Sequence, residues 1–245
     1  MELNDLTLKL FSNEPIYVDG VPIHPISVAK ISDVGYGRFN TELRLLCLTV
    51  EDVNTLSEID ISDIGIYTYL VGSALHDPQL MDVLLYWFSA ITHSRMFFSS
   101  KRLCFSSGAF EINKDNFDEI QLVIRHRNGL QDAQEEEDNP ANEAARRILQ
   151  RSKEERLKRR KAKRGGEENE ISLSDLISVL ASGLKMSFEE VMKYDLCQLN
   201  DQLNRLKIFD DYEVSVQALL HGAKKEDVKI THWISKIKIN QNNND

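Results

Sequence analysis

The sequence predicts a mainly helical α+β protein whose short strands lie in its N-terminal half. Five prolines and eleven glycines among 245 residues permit long helices and disfavour a turn-rich β-sandwich. Apolar residues recur at helical spacing over most of the chain, whereas strand-like stretches are short. We therefore expect four parts: an α+β N-terminal domain over 1–128, an acidic linker with a long basic helix over 129–170, a small all-helical C-terminal domain over 171–239, and a disordered tail over 240–245.

Two or three short strands are predicted at the N-terminus. Leu6, Leu8 and Leu10 alternate with polar residues, which is the pattern of a half-buried strand. Further along, the dipeptide Asp19-Gly20 favours the positive φ angles of a tight hairpin turn.

Helices are predicted next, from residue 27 onwards. Apolar residues keep helical spacing over 27–48, where glycines at 35 and 37 indicate a bend. Thr49-x-x-Asp52 is typical of a helix start. A second helix is expected over 62–75. Asp77-Pro78 then supplies a cap and a first-turn proline for a third, very apolar helix that we expect at the centre of the core.

Three short strands are predicted after this third helix, in the segments MFFSS, RLCFSS and AFEIN. Asn113 is then expected to cap a helix that reaches Arg127. In the C-terminal domain, Ser172-x-x-Asp175 is expected to cap an amphipathic helix, and Ser187-x-x-Glu190 predicts a capping box for the next helix. Leucines at helical spacing continue from Leu196 to Leu206.

Charge is unevenly distributed along the chain. Eleven Lys and Arg and two Glu lie from Arg146 to Arg164, so this stretch carries about +9. Because the net charge is −9, the rest of the chain carries about −18. Apolar residues in the basic stretch are too sparse to pack a full face, which predicts a helix that is solvated or bound to a partner.

No motif for catalysis, a cofactor or a metal is present in the sequence. It contains neither G-x-G-x-x-G nor G-x-x-x-x-G-K-[ST], and no two histidines are spaced i, i+4. The three cysteines are far apart and form no C-x-x-C pair. No apolar run approaches the ~20 residues that cross a bilayer. We therefore predict a binding protein of the cytoplasm that is not an enzyme and has no membrane partner.

The basic stretch leaves three interpretations open. It forms a solvated helix that balances its acidic flanks, it meets a protein partner with acidic helices, or it binds RNA or DNA through its phosphates. Base stacking usually needs aromatic side chains, and none occurs from Gln131 to Glu170, so nucleic acid is the less favoured alternative. The candidate contact residues in this stretch are Arg159, Arg160, Lys161, Lys163 and Arg164.

Several strings together carry a resemblance to a known family. They are KLFSNEPIYVDGVPIHPISVAKISDVGYGRFN at the start, NPANEAARRI before the basic helix, the helix from Leu196 to Leu206 with Gln198, Asp201, Gln202 and Arg205, and the pair His232-Trp233. In this layout the chain resembles a tail-assembly chaperone-like protein of long-tailed phages and prophages of Gram-positive bacteria.

The resemblance implies a protein that binds the long tape-measure protein, keeps it soluble in the cytoplasm of the bacterial host and is absent from the finished particle. Self-association would be compatible with this role. A nucleic-acid-associated adaptor and a minor structural protein of the virion are the alternatives. Helix-in-groove contacts would come from the apolar faces of the C-terminal helices. The candidate partner-binding residues there are Leu173, Leu176, Leu180, Leu199, Leu203 and Trp233.

Overall fold

A computed structural model describes residues 3–57, 60–129 and 172–224, together with residues 228, 230, 232 and 234. The predicted acidic linker, the basic helix and the C-terminal tail lie outside the described residues. The described chain is α+β and mainly helical, which confirms the predicted fold class.

The N-terminal part contains seven described helices and five short strands. Their bounds in chain order are α1 Leu3–Leu10, β1 Ile16–Val18, β2 Val21–Ile23, α2 Val28–Val34, α3 Tyr36–Leu46, α4 Val50–Ser57, α5 Gly65–His76, α6 Pro78–Thr92, β3 Phe97–Ser99, β4 Cys104–Ser106, β5 Glu111–Ile112 and α7 Phe117–Arg127.

The first predicted strand is wrong, because Leu3–Leu10 forms helix α1. Leu6 and Leu10, four residues apart, are both buried on one side of the helix, whereas Leu8 is 74% exposed. A spacing of four fits a helical turn as well as it fits an alternating strand. The hairpin prediction is confirmed: β1 pairs antiparallel with β2, and the turn residues Asp19 and Gly20 have φ angles of 47° and 79°.

Local signals placed most helix starts correctly. In place of the expected bend over 27–48, the helix is interrupted at Gly35, which separates α2 from α3. Gly35 has a φ of 89°, a conformation that favours glycine. Thr49 and Asp52 form the expected reciprocal hydrogen bonds at the start of α4. The side chain of Asp77 accepts hydrogen bonds from the first-turn backbone of α6.

Two predicted boundaries need correction. Helix α5 begins at Gly65 rather than at residue 62. Helix α7 begins at Phe117, because Asn113 does not cap it directly. Instead the side chain of Asn113 accepts a hydrogen bond from the backbone of Asp115, and its carbonyl accepts one from Phe117 N–H, so it closes the turn before the helix. The three strands predicted before this turn are confirmed as the antiparallel sheet β3-β4-β5.

We give the name main core to the cluster of buried apolar residues that α1–α7, the β1-β2 hairpin and the sheet β3-β4-β5 contribute, together with Cys197. Phe105 of β4 is fully buried and meets the ring of Phe88 at 4.7 Å between centroids. Trp87 lies in the same core and donates a hydrogen bond of 2.8 Å to Glu42 Oε2.

The C-terminal part consists of α8 Leu173–Leu184, α9 Phe188–Val191 and α10 Leu196–Leu220. Both predicted caps are confirmed, and both are capping boxes, at Ser172 with Asp175 and at Ser187 with Glu190. A small set of buried residues joins these helices, and we call it the C-terminal cluster: Val28, Leu180, Ala181, Val191 and Leu199. Val28 belongs to α2, so the C-terminal helices complete their cluster with a residue of the N-terminal part.

Candidate partner-binding surfaces

An open groove of about 1050 Å³ lies where α2, α6 and α9 meet. Its floor is apolar and consists of Ile26, Leu85, Ala90, Met96 and Met192. Methionine is unbranched and polarizable, so it adapts to partners of different shape. An α-helix of ~10 Å diameter fills ~430 Å³ per turn. The groove therefore has room for about two turns of a helix.

Helix α6 explains why this floor is apolar. Leu84, Trp87, Phe88 and Ile91 occupy the face that is buried in the main core. The opposite face carries Leu85, Tyr86, Ser89 and Ala90, which are half-buried and line the groove. A helix that is apolar on all sides is expected to be covered on all sides. The second apolar face of α6 is therefore the sequence signal for the groove. The sequence analysis interpreted the apolar character of this helix as a sign of the core alone.

The rim of the groove is mainly basic. Of the described residues that line it, Lys30, Arg95 and Lys193 are cations and Glu189 is an acid. The ammonium of Lys193 lies 3.6 Å from Glu189, but the two side chains are 66% and 85% exposed, so this pair is well solvated. Lys30 lies 6.0 Å from the ring centroid of Tyr86, close enough for a cation–π contact.

A histidine pair lies beside the groove, which His93 lines. His93 adopts the left-handed conformation after α6 and stacks on His24, with ring centroids 3.8 Å apart. Burial, and next the neighbouring His93, lower the pKa of His24. The backbone N–H of His24 also donates to the carbonyl of Ile91 at 2.7 Å, which fixes β2 against the end of α6.

The groove exists because the C-terminal helices are docked on α2. The first N–H groups of a helix have no partner within it. In α2 these donors bind C-terminal carbonyls: Val28 N–H donates to Tyr194 at 2.8 Å and Ala29 N–H to Met192 at 2.9 Å. Ser27 caps the next donor with its side chain. The first N–H groups of α2 thus find their hydrogen-bond partners in the segment that also lines the groove.

A buried ion pair makes the second attachment. Arg127 at the end of α7 is 1% exposed and donates to Asp195 Oδ2 at 3.1 Å. Its guanidinium also donates to the carbonyls of Ser12 at 3.1 Å and Glu14 at 2.9 Å. Burial raises the pKa of Asp195, against the opposing effects of its hydrogen bond from Gln198 N–H and the charge of Arg127.

Asp195 is also the N-cap of α10 and forms a capping box with Gln198. The amide of Gln198 reaches back to the N-terminal part and donates to the carbonyl of Phe11 at 3.2 Å. The spacing Asp-x-x-Gln was visible in the sequence but was not recognised there as a helix start. Nothing in the sequence marked Arg127, since a basic residue in the last turn of a helix is ordinary.

The structure brings together five of the predicted partner-binding residues. Leu180 and Leu199 are buried in the C-terminal cluster, and Leu173, Leu176 and Leu203 pack against it half-buried. These leucines hold the C-terminal helices together in this structure. Trp233, Arg159, Arg160, Lys161, Lys163 and Arg164 lie outside the described residues. Their proposed roles stay predictions.

Exposed apolar side chains on the C-terminal helices were not singled out from the sequence. The described ones that are at least 44% exposed are Val179, Phe188, Phe209, Val214 and Leu220. Within the described ranges, no helix is long and apolar enough to cross a membrane. The same residues contain no group of three or more His, Cys, Asp or Glu placed to hold a metal ion.

The docked C-terminal helices and the groove define a mainly helical protein with an open groove between its N-terminal and C-terminal parts. Residues 161–238 match the model of one family, described as the YomV second domain. That family is of the phage and prophage type, so the match indicates a phage-related protein. It covers α8, α9 and α10, including one wall of the groove. No curated protein and no solved structure matches the chain.

Proposed function

We propose that the chain is a phage tail assembly chaperone, which binds the tape-measure protein and keeps it soluble in the bacterial cytoplasm until the tail tube forms around it. It acts by binding, without catalysing a reaction. The observation that carries this proposal is the open apolar groove of about 1050 Å³ at the α2–α6–α9 junction, which has room for about two turns of a helix.

The groove suits such a client for a physical reason. A very long helix that has not yet been enclosed exposes apolar stripes, and these stripes aggregate unless another surface covers them. A groove with an apolar floor covers a stripe by the helix-in-groove mode of recognition. The exposed residues Val179, Phe188 and Val214 on the C-terminal helices offer further apolar surface to a long client. The phage-type family match over residues 161–238 supports the same biological setting.

Co-expression tests the proposal directly. The chain is expressed with the tape-measure protein of the same phage genome, and the soluble fraction is purified through a tag on the chain. We expect a tape-measure protein that is insoluble alone to become soluble and to co-purify. If it stays insoluble across a range of salt concentrations, the chaperone function is contradicted.

Mass spectrometry of purified particles separates the chaperone from a minor structural protein of the virion. An assembly factor leaves before the particle is complete, so we expect its peptides in lysates of assembling cells and not in purified virions. Stoichiometric recovery from virions would favour the structural alternative.

A further inference from the structure

We propose that the α2–α6–α9 groove binds an acidic amphipathic helix, with the apolar stripe of that helix on the groove floor and its carboxylates against Lys30, Arg95 and Lys193. This assignment rests on the proposed binding function and adds the chemistry of the bound segment.

The floor sets the first requirement, an apolar stripe. Leu85 and Ala90 lie on the second apolar face of α6, half-buried, and Met192 faces them from the segment that follows α9. Covering apolar surface is favourable by ~25 cal/mol per Å². A helix that presents apolar residues at positions i, i+3, i+4 and i+7 offers such a stripe.

The rim sets the second requirement, negative charge. The three lining cations against one acid leave a surplus of about two positive charges on this face, although the chain as a whole carries −9. All three cations are exposed and therefore accessible to a partner. Charges at the rim of an interface steer the encounter and exclude partners of the wrong sign. A basic helix would meet this rim with like charges.

Arg38 extends the basic rim beyond the groove. Its guanidinium carbon lies 5.2 Å from the ring centroid of Tyr86, on the same residue that Lys30 approaches. Arg38 is bound to Glu42 at 2.7 Å, so its charge is already paired. Arg38 is also not among the described residues that line the groove, so the cations that a helix bound there would contact are Lys30, Arg95 and Lys193.

The groove favours a peptide over single-stranded nucleic acid. Proteins that bind single strands combine a basic track with several aromatic rings, on which successive bases stack. Tyr86 and His93 are the aromatic rings among the described residues that line the groove, and His93 is already stacked on His24, while the floor is aliphatic or thioether. Such a floor matches aliphatic side chains rather than bases.

Fluorescence anisotropy with designed peptides tests the proposal on the full chain. The probe is a fluorescein-labelled helix of about five turns, with leucine at the stripe positions and glutamate elsewhere. Its matched control carries lysine in place of every glutamate. We expect the acidic peptide to bind and the basic peptide to bind at least about tenfold more weakly. Equal affinity for the two peptides would overturn the charge selection.

A triple charge reversal locates the site. In the variant Lys30→Glu, Arg95→Glu and Lys193→Glu, we expect the affinity for the acidic peptide to fall at least about tenfold. The control variant reverses three exposed lysines outside the groove, Lys101, Lys114 and Lys207, and should bind like the original chain. Because all six side chains are exposed, both variants should unfold at the original temperature. Undiminished binding by the groove variant would overturn the assignment.

Photocrosslinking gives a second readout that does not depend on charge. Benzoylphenylalanine placed at Tyr86, in the groove, should crosslink to the acidic peptide, whereas the same group at Tyr17, which is 66% exposed on β1, should not. Crosslinking only at Tyr17 would place the peptide elsewhere. A labelled single-stranded oligonucleotide that displaces the acidic peptide and loses affinity in the groove variant would overturn the proposal in favour of nucleic acid.

Failure of this proposal and failure of the chaperone function give different results. If the tape-measure protein becomes soluble with the chain and also with the groove variant, the chaperone function stands and the groove assignment falls. If the acidic peptide binds the groove but the tape-measure protein stays insoluble, the groove assignment stands with another client.

Discussion

The main core and the C-terminal cluster are built in different ways. The main core is large and rich in aromatic residues, and the ring of Phe88 contacts those of both Phe105 and Phe117. The C-terminal cluster has five buried members, none of them aromatic, and one of the five is Val28 from α2. The cluster is attached by polar contacts, including the buried pair of Arg127 with Asp195.

This difference predicts a one-way dependence. The C-terminal helices need α2 for Val28 and for their carbonyl partners, and α2 in turn packs on the main core through Ile31. The main core contains a single buried residue of the C-terminal part, Cys197, among those described. Loss of the main core should therefore release the C-terminal helices, whereas loss of the C-terminal cluster should leave most of the main core folded.

The largest effect is expected from Phe105→Ala. It removes a fully buried ring and should lower the free energy of unfolding by about 4 kcal/mol. Amide hydrogen exchange should speed up in α5 and α6 and equally in α8 and α10, because all of them depend on the same core. If α8 and α10 kept their protection, the one-way dependence would be contradicted.

Arg127→Met comes next, with a loss of about 3 kcal/mol at neutral pH, because it leaves the buried carboxylate of Asp195 without its cation. Removing the cation should raise the pKa of Asp195 further above its value in the unfolded chain. The folded state then favours the protonated carboxyl, so stability is lost as pH rises through the folded pKa. Urea denaturation of variant and original chain should show a larger difference at pH 7 than at pH 4.

The matched control for that experiment is the double variant Arg127→Met with Asp195→Asn. Asparagine still caps α10 but does not titrate. The extra pH dependence of stability that Arg127→Met introduces should therefore be absent from the double variant. If Arg127→Met lowered the free energy of unfolding equally at pH 4 and pH 7, the titration of Asp195 would not be the cause of the lost stability.

The smallest effect on global stability is expected from Leu180→Ala. Truncating this fully buried leucine should cost about 2.5 kcal/mol, and the loss should be local. Hydrogen exchange should accelerate in α8 and α10, while α5, α6 and α7 keep their protection. The exposed neighbour Val179 serves as control, since Val179→Ala should change little. Equal acceleration in all helices after Leu180→Ala would contradict the comparison.

Local signals in the sequence predicted the elements better than their assembly. The capping boxes at Ser172 and Ser187 join residues three apart, so they are visible in a short window. The helix α1 was mistaken for a strand because buried Leu6 and Leu10 fit both spacings. The pair of Arg127 with Asp195 joins residues 68 apart, which no local pattern reveals. The floor and rim of the groove come from separate elements, so the sequence did not reveal their assembly. The second apolar face of α6 was the sequence signal that could have indicated the groove.

We propose that the groove covers the helix of the tape-measure protein and so keeps it soluble, and co-expression with the groove variant tests this claim most directly. The tape-measure protein is co-expressed with the original chain, with the Lys30, Arg95 and Lys193 reversal, and with the control reversal of Lys101, Lys114 and Lys207. We expect soluble, co-purifying tape-measure protein with the original and control chains, and insoluble protein with the groove variant. Equal yields of soluble tape-measure protein with all three chains would contradict the claim.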